Sequence, residues 1–279
     1  MIDLHLHSTY SDGTMTPAEL VKQGADIGLS ALSITDHDTI SATEEAMTEA
    51  VKYAVEVVPG LEISVKHREM DLHLLGYYFD WRDRGLLETL ETLQGARDDR
   101  NRKIIKKLQA MGIALSDEQL QEEAGTGVAG RPHVARLLVK NNIVKNNQQA
   151  FSLYLKAGRC AYVPRFLLGS SQAIRILHDA GGYAVLAHPG QIPCSMNELS
   201  GIINELKRLG IDGLETYYPT QRGDSFRKIR ALAGKYELLE TGGSDYHGDT
   251  RPNTSMAGTT NKFVVPDTVI KKLHEKKNA

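Results

Sequence analysis

Six of the ten histidines in this 279-residue chain stand beside or close to carboxylates in short clusters. Asp3-Leu4-His5-Leu6-His7 opens the chain, with Ser11-Asp12-Gly13 close behind. Thr35-Asp36-His37-Asp38, Gly60-Leu61-Glu62 and Asp71-Leu72-His73 follow. Far downstream come His188-Pro189-Gly190, Glu215 and Gly243-Ser244-Asp245-Tyr246-His247. Imidazole is the commonest side-chain metal ligand. Carboxylates placed among histidines suit Zn, Mn or Fe better than Ca or Mg alone. The pattern reads as a site for several metal ions.

Spacing says how these residues meet. His5 and His7 are two apart on a strand, so both point to one face while Leu4 and Leu6 point to the other. Asp3 shares the histidine face one step deeper and is a candidate partner for a ligand imidazole. Asp71 and His73 repeat the arrangement against Leu72 and Leu74. Asp36-His37 and His188 follow strands, and Asp245 and His247 follow Gly242-Gly243, where the chain can turn sharply. In parallel α/β folds the loops after strands converge on one face, so residues distant in sequence would meet there. His67, His178 and His274 lie away from these strand ends and read as ordinary polar side chains.

Strands that would hold the clusters are legible at 2–6, 31–35, 55–65, 70–79, 183–187, 213–217 and 238–242. Helical patterns separate many of them, near 41–54, 170–180, 197–209, 222–235 and 266–276. Thr16-Pro17-Ala18-Glu19 carries a helix start: a Thr cap, Pro at the first helical position and an acidic residue in the first turn. The alternation predicts βαβ units and a mainly parallel sheet, and about seven strands come close to a barrel. From about Ala96 to Tyr162 the rhythm breaks. That stretch is helical, with Leu108, Leu115, Leu120, Leu137, Leu138, Phe151 and Leu155 at helical spacing. It reads as a small helical domain inserted into the α/β unit.

The composition narrows the function. Net charge is −2, so no basic excess points to stable binding of duplex nucleic acid, and a small or single-stranded ligand stays open. The pairs Lys271-Lys272 and Lys276-Lys277 read as a solvated helix end. Cys160 and Cys194 form no C-x-x-C pair and predict neither a disulfide framework nor a Cys-rich zinc site. No apolar run reaches the roughly 18 residues of a membrane span. The chain begins directly with a strand and carries no secretion signal, so the expectation is a cytoplasmic protein. Neither a G-x-x-x-x-G-K-[ST] loop nor a G-x-G-x-x-G opening is present.

The motifs together resemble the PHP (polymerase and histidinol phosphatase) family of metal-dependent phosphoesterases. The H-x-H start with Asp12, the T-D-H turn, the H-P-G turn and the final S-D-x-H are all present. With its helical insertion the chain is most similar to the branch of nucleoside 3′,5′-bisphosphate phosphatases and 5′-to-3′ exoribonucleases. The resemblance implies a distorted (β/α)7 TIM-like barrel over 1–95 and 163–279, with residues 96–162 as a substrate-recognition insertion. It implies two to three divalent ions, Mn first, with Zn or Fe as alternatives. His5, His7, Glu62 and Asp245 would hold one ion. Glu62, His73 and His188 would hold a second, with Glu62 bridging. Asp12, His37 and His247 would hold a third. Asp12 departs from branches that carry a histidine at its position.

Charge arithmetic favours a phosphate ester. Three divalent ions bring +6 against −3 from Asp12, Glu62 and Asp245, leaving about +3 to face a phosphate dianion. The expected nucleophile is a metal-activated water, and no side-chain nucleophile is foreseen. Arg131 and His133, in Gly130-Arg131-Pro132-His133 before a helix, are candidate readers of a second phosphate. Arg159, Tyr162, Arg165 and Gln191 are further candidates for the substrate cleft, and Glu215 for either a supporting or a capping role. The expected substrate is a nucleotide or a short single-stranded RNA. Alternatives are histidinol-phosphate phosphatase, a non-catalytic metal-bound interaction module, and an amidohydrolase. The last commonly needs a carbamylated lysine, and no Lys stands among these motifs.

Overall fold

The computed structural model describes residues 1–258 and 264–277. Strands β1 (Ile2–Leu6), β2 (Ala31–Ile34) and β3 (Glu56–Val57) form a parallel three-stranded sheet. A second sheet has the order β6 (Leu168–Gly169), β4 (Gly60–His67), β5 (Met70–Tyr77), β7 (Tyr183–Leu186), β8 (Gly213–Tyr217), β9 (Leu239–Gly242). β4 and β5 form an antiparallel hairpin and β5 runs antiparallel to β7; the other pairs are parallel. Two parallel bridges tie the sheets together, Leu6 to Tyr246 and His37 to Glu62. The fold is α/β.

The strand expected at 55–65 is two strands. Pro59 sits between them, has no N–H to give to a ladder, and ends β3. Helix α1 (Pro17–Asp26) starts on the Thr16 cap, and Thr16 and Glu19 complete a reciprocal capping box. Helix α2 (Ala42–Ala50) ends earlier than its pattern predicts, leaving Val51 86% exposed.

Helix α3 (Arg84–Gln109) is continuous for 26 residues. Its first half packs Leu86, Leu90 and Leu93 against the second sheet and helix α7 (Ser170–Asp179). Its second half packs Ile104, Ile105 and Leu108 into a separate core. That core includes Leu115 from the segment before α4 (Asp117–Ala124), Leu120 from α4, Leu137 and Leu138 from α5 (Arg131–Lys140), and Leu155 from the π-turn Phe151–Leu155. Phe151 alone among the residues expected in this core is only half-buried. Helix α6 (Asn147–Ala150) precedes that turn, and α8 (Met196–Arg208), α9 (Gly223–Lys235) and α10 (Thr268–Lys277) complete the helices among the described residues. Among the described residues no helix is long and apolar enough to cross a membrane.

Candidate metal centre

The strand ends deliver the clusters to one place. His5 leaves β1 beside the chain after β9, where Asp245 N donates to His5 O at 2.9 Å and His7 N donates to Tyr246 O at 2.9 Å. A Cβ on Gly243 would lie 2.3 Å from His5 Cβ. Gly243 is therefore required by close approach. The sharp turn expected at this glycine pair falls on Asp245 itself, with φ of 53°. Asp38 (55°) and His188 (30°) also hold left-handed conformations. Such strain collects where surrounding structure over-determines a functional position.

Glu62 lies at the centre and is 1% exposed. Its Oε1 accepts from His73 Nδ1 at 2.7 Å and approaches His188 Nε2 at 3.1 Å. Its Oε2 lies 3.0 Å from His37 Nδ1, 3.3 Å from His7 Nε2 and 3.5 Å from His5 Nε2. Asp245 Oδ1 stands 3.3 Å from His7 Nε2, 3.4 Å from His247 Nδ1 and 3.6 Å from His5 Nε2. Asp12 Oδ1 stands 3.3 Å from His247 Nε2. Three sets of ligand atoms each lie within 4.8 Å of one another: His7, Asp12, His37, His247; His5, His7, Asp245; and His37, Glu62, His73. Eight of the nine residues named from the resemblance fall in these sets; His188 falls in none of them and joins the cluster through Glu62 Oε1.

The donor chemistry fits metal ions. His5 Nε2, His7 Nε2, His37 Nδ1 and His247 Nε2 are buried without a hydrogen-bond partner. Leaving a buried polar atom unpaired costs about 1–3 kcal/mol, and each of these nitrogens faces a carboxylate of the cluster: Glu62 and Asp245 for His5 and His7, Glu62 for His37, Asp12 for His247. Burial works against charge on His5 and His7, but the neighbouring carboxylates prevail and raise both, His7 to about 9. Burial and the neighbouring imidazoles of His37 and His188 leave His73 at about 4, with Glu62 pulling the other way. Burial pushes up Glu62, Asp12 and Asp245, yet surrounding histidines, and Arg251 beside Asp245, hold all three well below the usual carboxylate range.

Supporting contacts fix the ligands. Glu215, fully buried, bonds His5 Nδ1 at 2.9 Å through Oε1 and accepts from His188 N at 2.6 Å through Oε2. It orients one imidazole and the turn that carries another. Asp3 does not touch an imidazole, contrary to expectation. It accepts from the backbone N–H of His5, Ser244 and Ala257 and from Ser244 Oγ, tying β1 to the turn after β9. Burial pushes it up to about 6 against those bonds. Asp36 likewise holds the loop leading to Asp12, through Ser8 and Ser11. His67, His178 and His274 pair with Glu205, Asp212 and Glu56, outside the cluster.

A cavity of ≈190 Å³ opens beside Asp12, His37 and His73. Arg97, Arg100, Arg131, Arg165 and His133 line it, with Phe151 and Arg251. Burial and mutual repulsion depress Arg100 to about 9 and Arg165 to about 10. Arg165 donates to Ser64 Oγ at 2.8 Å and stands 3.4 Å from His73 Nε2. His133 Nδ1 accepts from Gly130 N at 3.1 Å, which leaves the ring proton on Nε2. Burial holds His133 down at about 4, so it is a neutral donor at pH 7. Tyr162 and Arg159 do not line this cavity, and Arg159 is exposed. Gln191 lines a different groove. Both cysteines are unpaired.

Arg97, Arg100, Arg251 and Tyr218 were not foreseen. Arg97 and Arg100 do carry a signal: they continue the buried stripe Leu86, Leu90, Leu93, Ile104 of α3, an unusual place for cations. Arg97 pairs with Asp38 there, Nε to Oδ2 at 2.7 Å. Arg251 and Tyr218 both bond Asp245 Oδ2 and come from irregular loops.

Residues 3–162 match the PHP domain family. The chain belongs to that family. It is 34% identical over 245 residues to a 5′-3′ exoribonuclease of Haemophilus influenzae, covering 88% of this chain and 89% of that protein. It is 30% identical to a 3′,5′-nucleoside bisphosphate phosphatase of Chromobacterium violaceum, covering 88% and 87%. Among solved structures it is similar to a Bifidobacterium adolescentis protein assigned as a metal-dependent phosphoesterase (TM-score 0.87, 25% identity, 97% and 94% covered). A C. violaceum structure named an amidohydrolase, with sulfate and no metal, is also similar (TM-score 0.86, 27% identity, 99% and 96% covered).

Proposed function

We propose that this PHP-family protein is a metal-dependent phosphoesterase acting on nucleotides that carry two phosphates. It removes the 3′-phosphate of a nucleoside 3′,5′-bisphosphate, trims short 5′-phosphorylated RNA from its 5′ end, or does both. The observation that carries this reading is the cationic cavity against the edge of the cluster. Its ≈190 Å³ is below the roughly 300–1,000 Å³ of pockets for whole small molecules. It suits a terminal group, and four mutually repelling arginines favour a dianion. The sulfate in the related C. violaceum structure has the same shape and sign. A substrate with one phosphate on the cluster would leave this cavity empty, which argues against histidinol phosphate.

Divalent ions held by His5, His7, Glu62 and Asp245, by Glu62, His73 and His188, and by Asp12, His37 and His247 would polarise phosphate oxygens and lower the pKa of water. Mn is the first candidate, then Zn or Fe. The chain's own residues bind and orient. Arg131 and Arg97 hold the 5′-phosphate, and His133 Nε2–H donates to it without adding charge. Arg165 fixes the rim between that phosphate and His73. Residues 96–162 thus serve recognition, and 1–95 with 163–279 hold the metals. The two inter-sheet bridges support a closed, distorted (β/α)7 barrel.

The test is phosphate or nucleotide release by Mn-loaded protein from adenosine 3′,5′-bisphosphate, AMP, histidinol phosphate and a short 5′-phosphorylated RNA, with His188→Ala as control. Turnover of the bisphosphate or the RNA, lost in the variant, is expected. Turnover of none by a metal-replete protein would overturn the proposal.

A further inference from the structure

The cluster is walled by arginines on the α5 side and borders a second opening on the other. Tyr218 Oη donates to Asp245 Oδ2 at 2.7 Å and accepts from Gln191 Nε2 at 2.6 Å. Its ring centroid stands 5.6 Å from that of His188. Around this tyrosine, Gln191, Thr220, Arg222, Arg251 and Asn253 line a groove of ≈480 Å³. That volume falls in the range for a whole small ligand. Arg251 belongs to both spaces, lining the cationic cavity and the groove. Two arginines line the groove, Arg222 and the Asp245-paired Arg251, and Tyr218, only 3% exposed, forms its buried floor. A positively charged groove that tracks the backbone is how proteins hold single strands, with phosphates on the charges.

We infer that this groove holds the nucleotide that follows the scissile phosphate of a single-stranded oligoribonucleotide. The inference rests on the nucleotide reading above and deepens it. A site that reads a 5′-phosphate and works along a chain must leave a new 5′-phosphate after each cut. Water oxygen therefore bonds to phosphorus while the P–O3′ bond breaks. O3′ leaves with a proton on the nucleoside whose 5′-phosphate fills the cationic cavity. The phosphate stays on the following nucleotide, which presents it to the cavity in the next round. In a bisphosphate the same bond breaks, but nothing further hangs on phosphorus and the groove stays unused. The groove separates the two substrates.

Arg222 is exposed and lies outside the metal ligands and the cationic cavity. Arg222→Glu, in the Mn-loaded enzyme, is expected to lower kcat/KM on a 5′-phosphorylated tetraribonucleotide at least about tenfold, the loss of one charged contact. Its salt dependence should flatten by about 0.7 in log–log slope. Turnover of adenosine 3′,5′-bisphosphate should stay within about twofold and reports that the variant is folded. Thr220→Glu, also exposed, should act the same way. Lys103→Glu, in the depression lined by Phe166 beyond Arg100, should leave both substrates unchanged. Equal effects on both substrates, no effect of either groove variant, or a selective RNA loss in Lys103→Glu would overturn the inference. Wild-type turnover of the bisphosphate but not the RNA would overturn it while leaving the nucleotide reading intact. Turnover of neither would bring down that reading itself.

Discussion

Glu215→Gln is the sharpest probe of how the cluster is held, because it keeps shape and removes one charge. Glu215 accepts from two donors at once, the His5 ring at 2.9 Å and the His188 backbone N–H at 2.6 Å. Glutamine has one acceptor oxygen and one donor nitrogen. If its oxygen stays on His188 N, its NH2 faces His5 Nδ1. The imidazole must then give up the Nδ1 proton and carry it on Nε2, the atom that faces Glu62 and Asp245. A protonated Nε2 cannot ligate. If the oxygen stays on His5, the NH2 meets the His188 N–H at 2.6 Å and the left-handed turn must move. Loss of such an orienting partner typically costs 10–100-fold in metal affinity, or about 1.4–2.8 kcal/mol. For a chain of this length the metal-induced rise in Tm should shrink by roughly 3–6 °C. The assay is Mn affinity by competition with a chelator, with Tm measured with and without metal. The readout is the difference between those Tm values, since the apo Tm can change for other reasons. Unchanged affinity and an unchanged metal-induced rise would refute the orienting role.

Three other outcomes follow from the geometry. Arg131→Ala should lower kcat/KM on a 3′,5′-bisphosphate by roughly 10–100-fold, the worth of a charged hydrogen bond, and act much less on a monophosphate; equal losses in steady-state assays would exclude a second-phosphate contact. His133 has a folded pKa of about 4 against 6.5 unfolded, so the unfolded chain takes up the proton first and stability falls as pH drops from about 6.5 through 4. His133→Gln should remove a share of that acid loss approaching about 3 kcal/mol near pH 4, read by urea unfolding of both proteins at pH 7 and pH 4.5. Since His7 is raised to about 9, the free site holds its proton at pH 7 and metal must expel it. Mn affinity should thus fall about tenfold per pH unit for each proton displaced, and calorimetric titrations that give equal affinities at pH 6, 7 and 8 would contradict this.

The metal ligands were legible because each is tied to a local pattern. An H-x-H on a strand, or a polar triplet just past an apolar run, shows both its element and its face. The cationic wall was only half legible. Arg131 and His133 announce themselves through Gly130 and Pro132 at a helix start. Arg97 and Arg100 sit inside a long helix whose polar and apolar residues look like any surface helix, until they are seen to fall on its buried stripe. Arg251 could not be read: it reaches Asp245 from the irregular chain just after a short 3₁₀ turn, where no periodicity relates one side chain to another. The antiparallel placing of β5 between β4 and β7 depends on pairing across the sheet, which a strand's own alternation does not reveal, whereas the break at Pro59 follows from the proline's missing N–H.

The charge pattern around Glu62 says why these residues need each other. In one buried space the carboxylates are held ionised while the histidines split, His5 and His7 pushed up and His73 and His247 pushed down. Four imidazole nitrogens still lack partners. Protons cannot satisfy them all, because a proton on one ring repels the next: His7 and His247 are 4.0 Å apart, centroid to centroid. Apolar contacts cannot satisfy them at all. Positive charge that accepts several lone pairs at once can, and this is what divalent cations supply. Binding energy at the cluster is therefore also folding energy for the strand ends that carry it. Asp3, Asp36 and Glu215 spend their hydrogen bonds on backbone N–H groups, serine hydroxyls and the ring of His5, so they hold the turns in register, and the ligating atoms of Asp12, Glu62 and Asp245 remain turned toward the shared space.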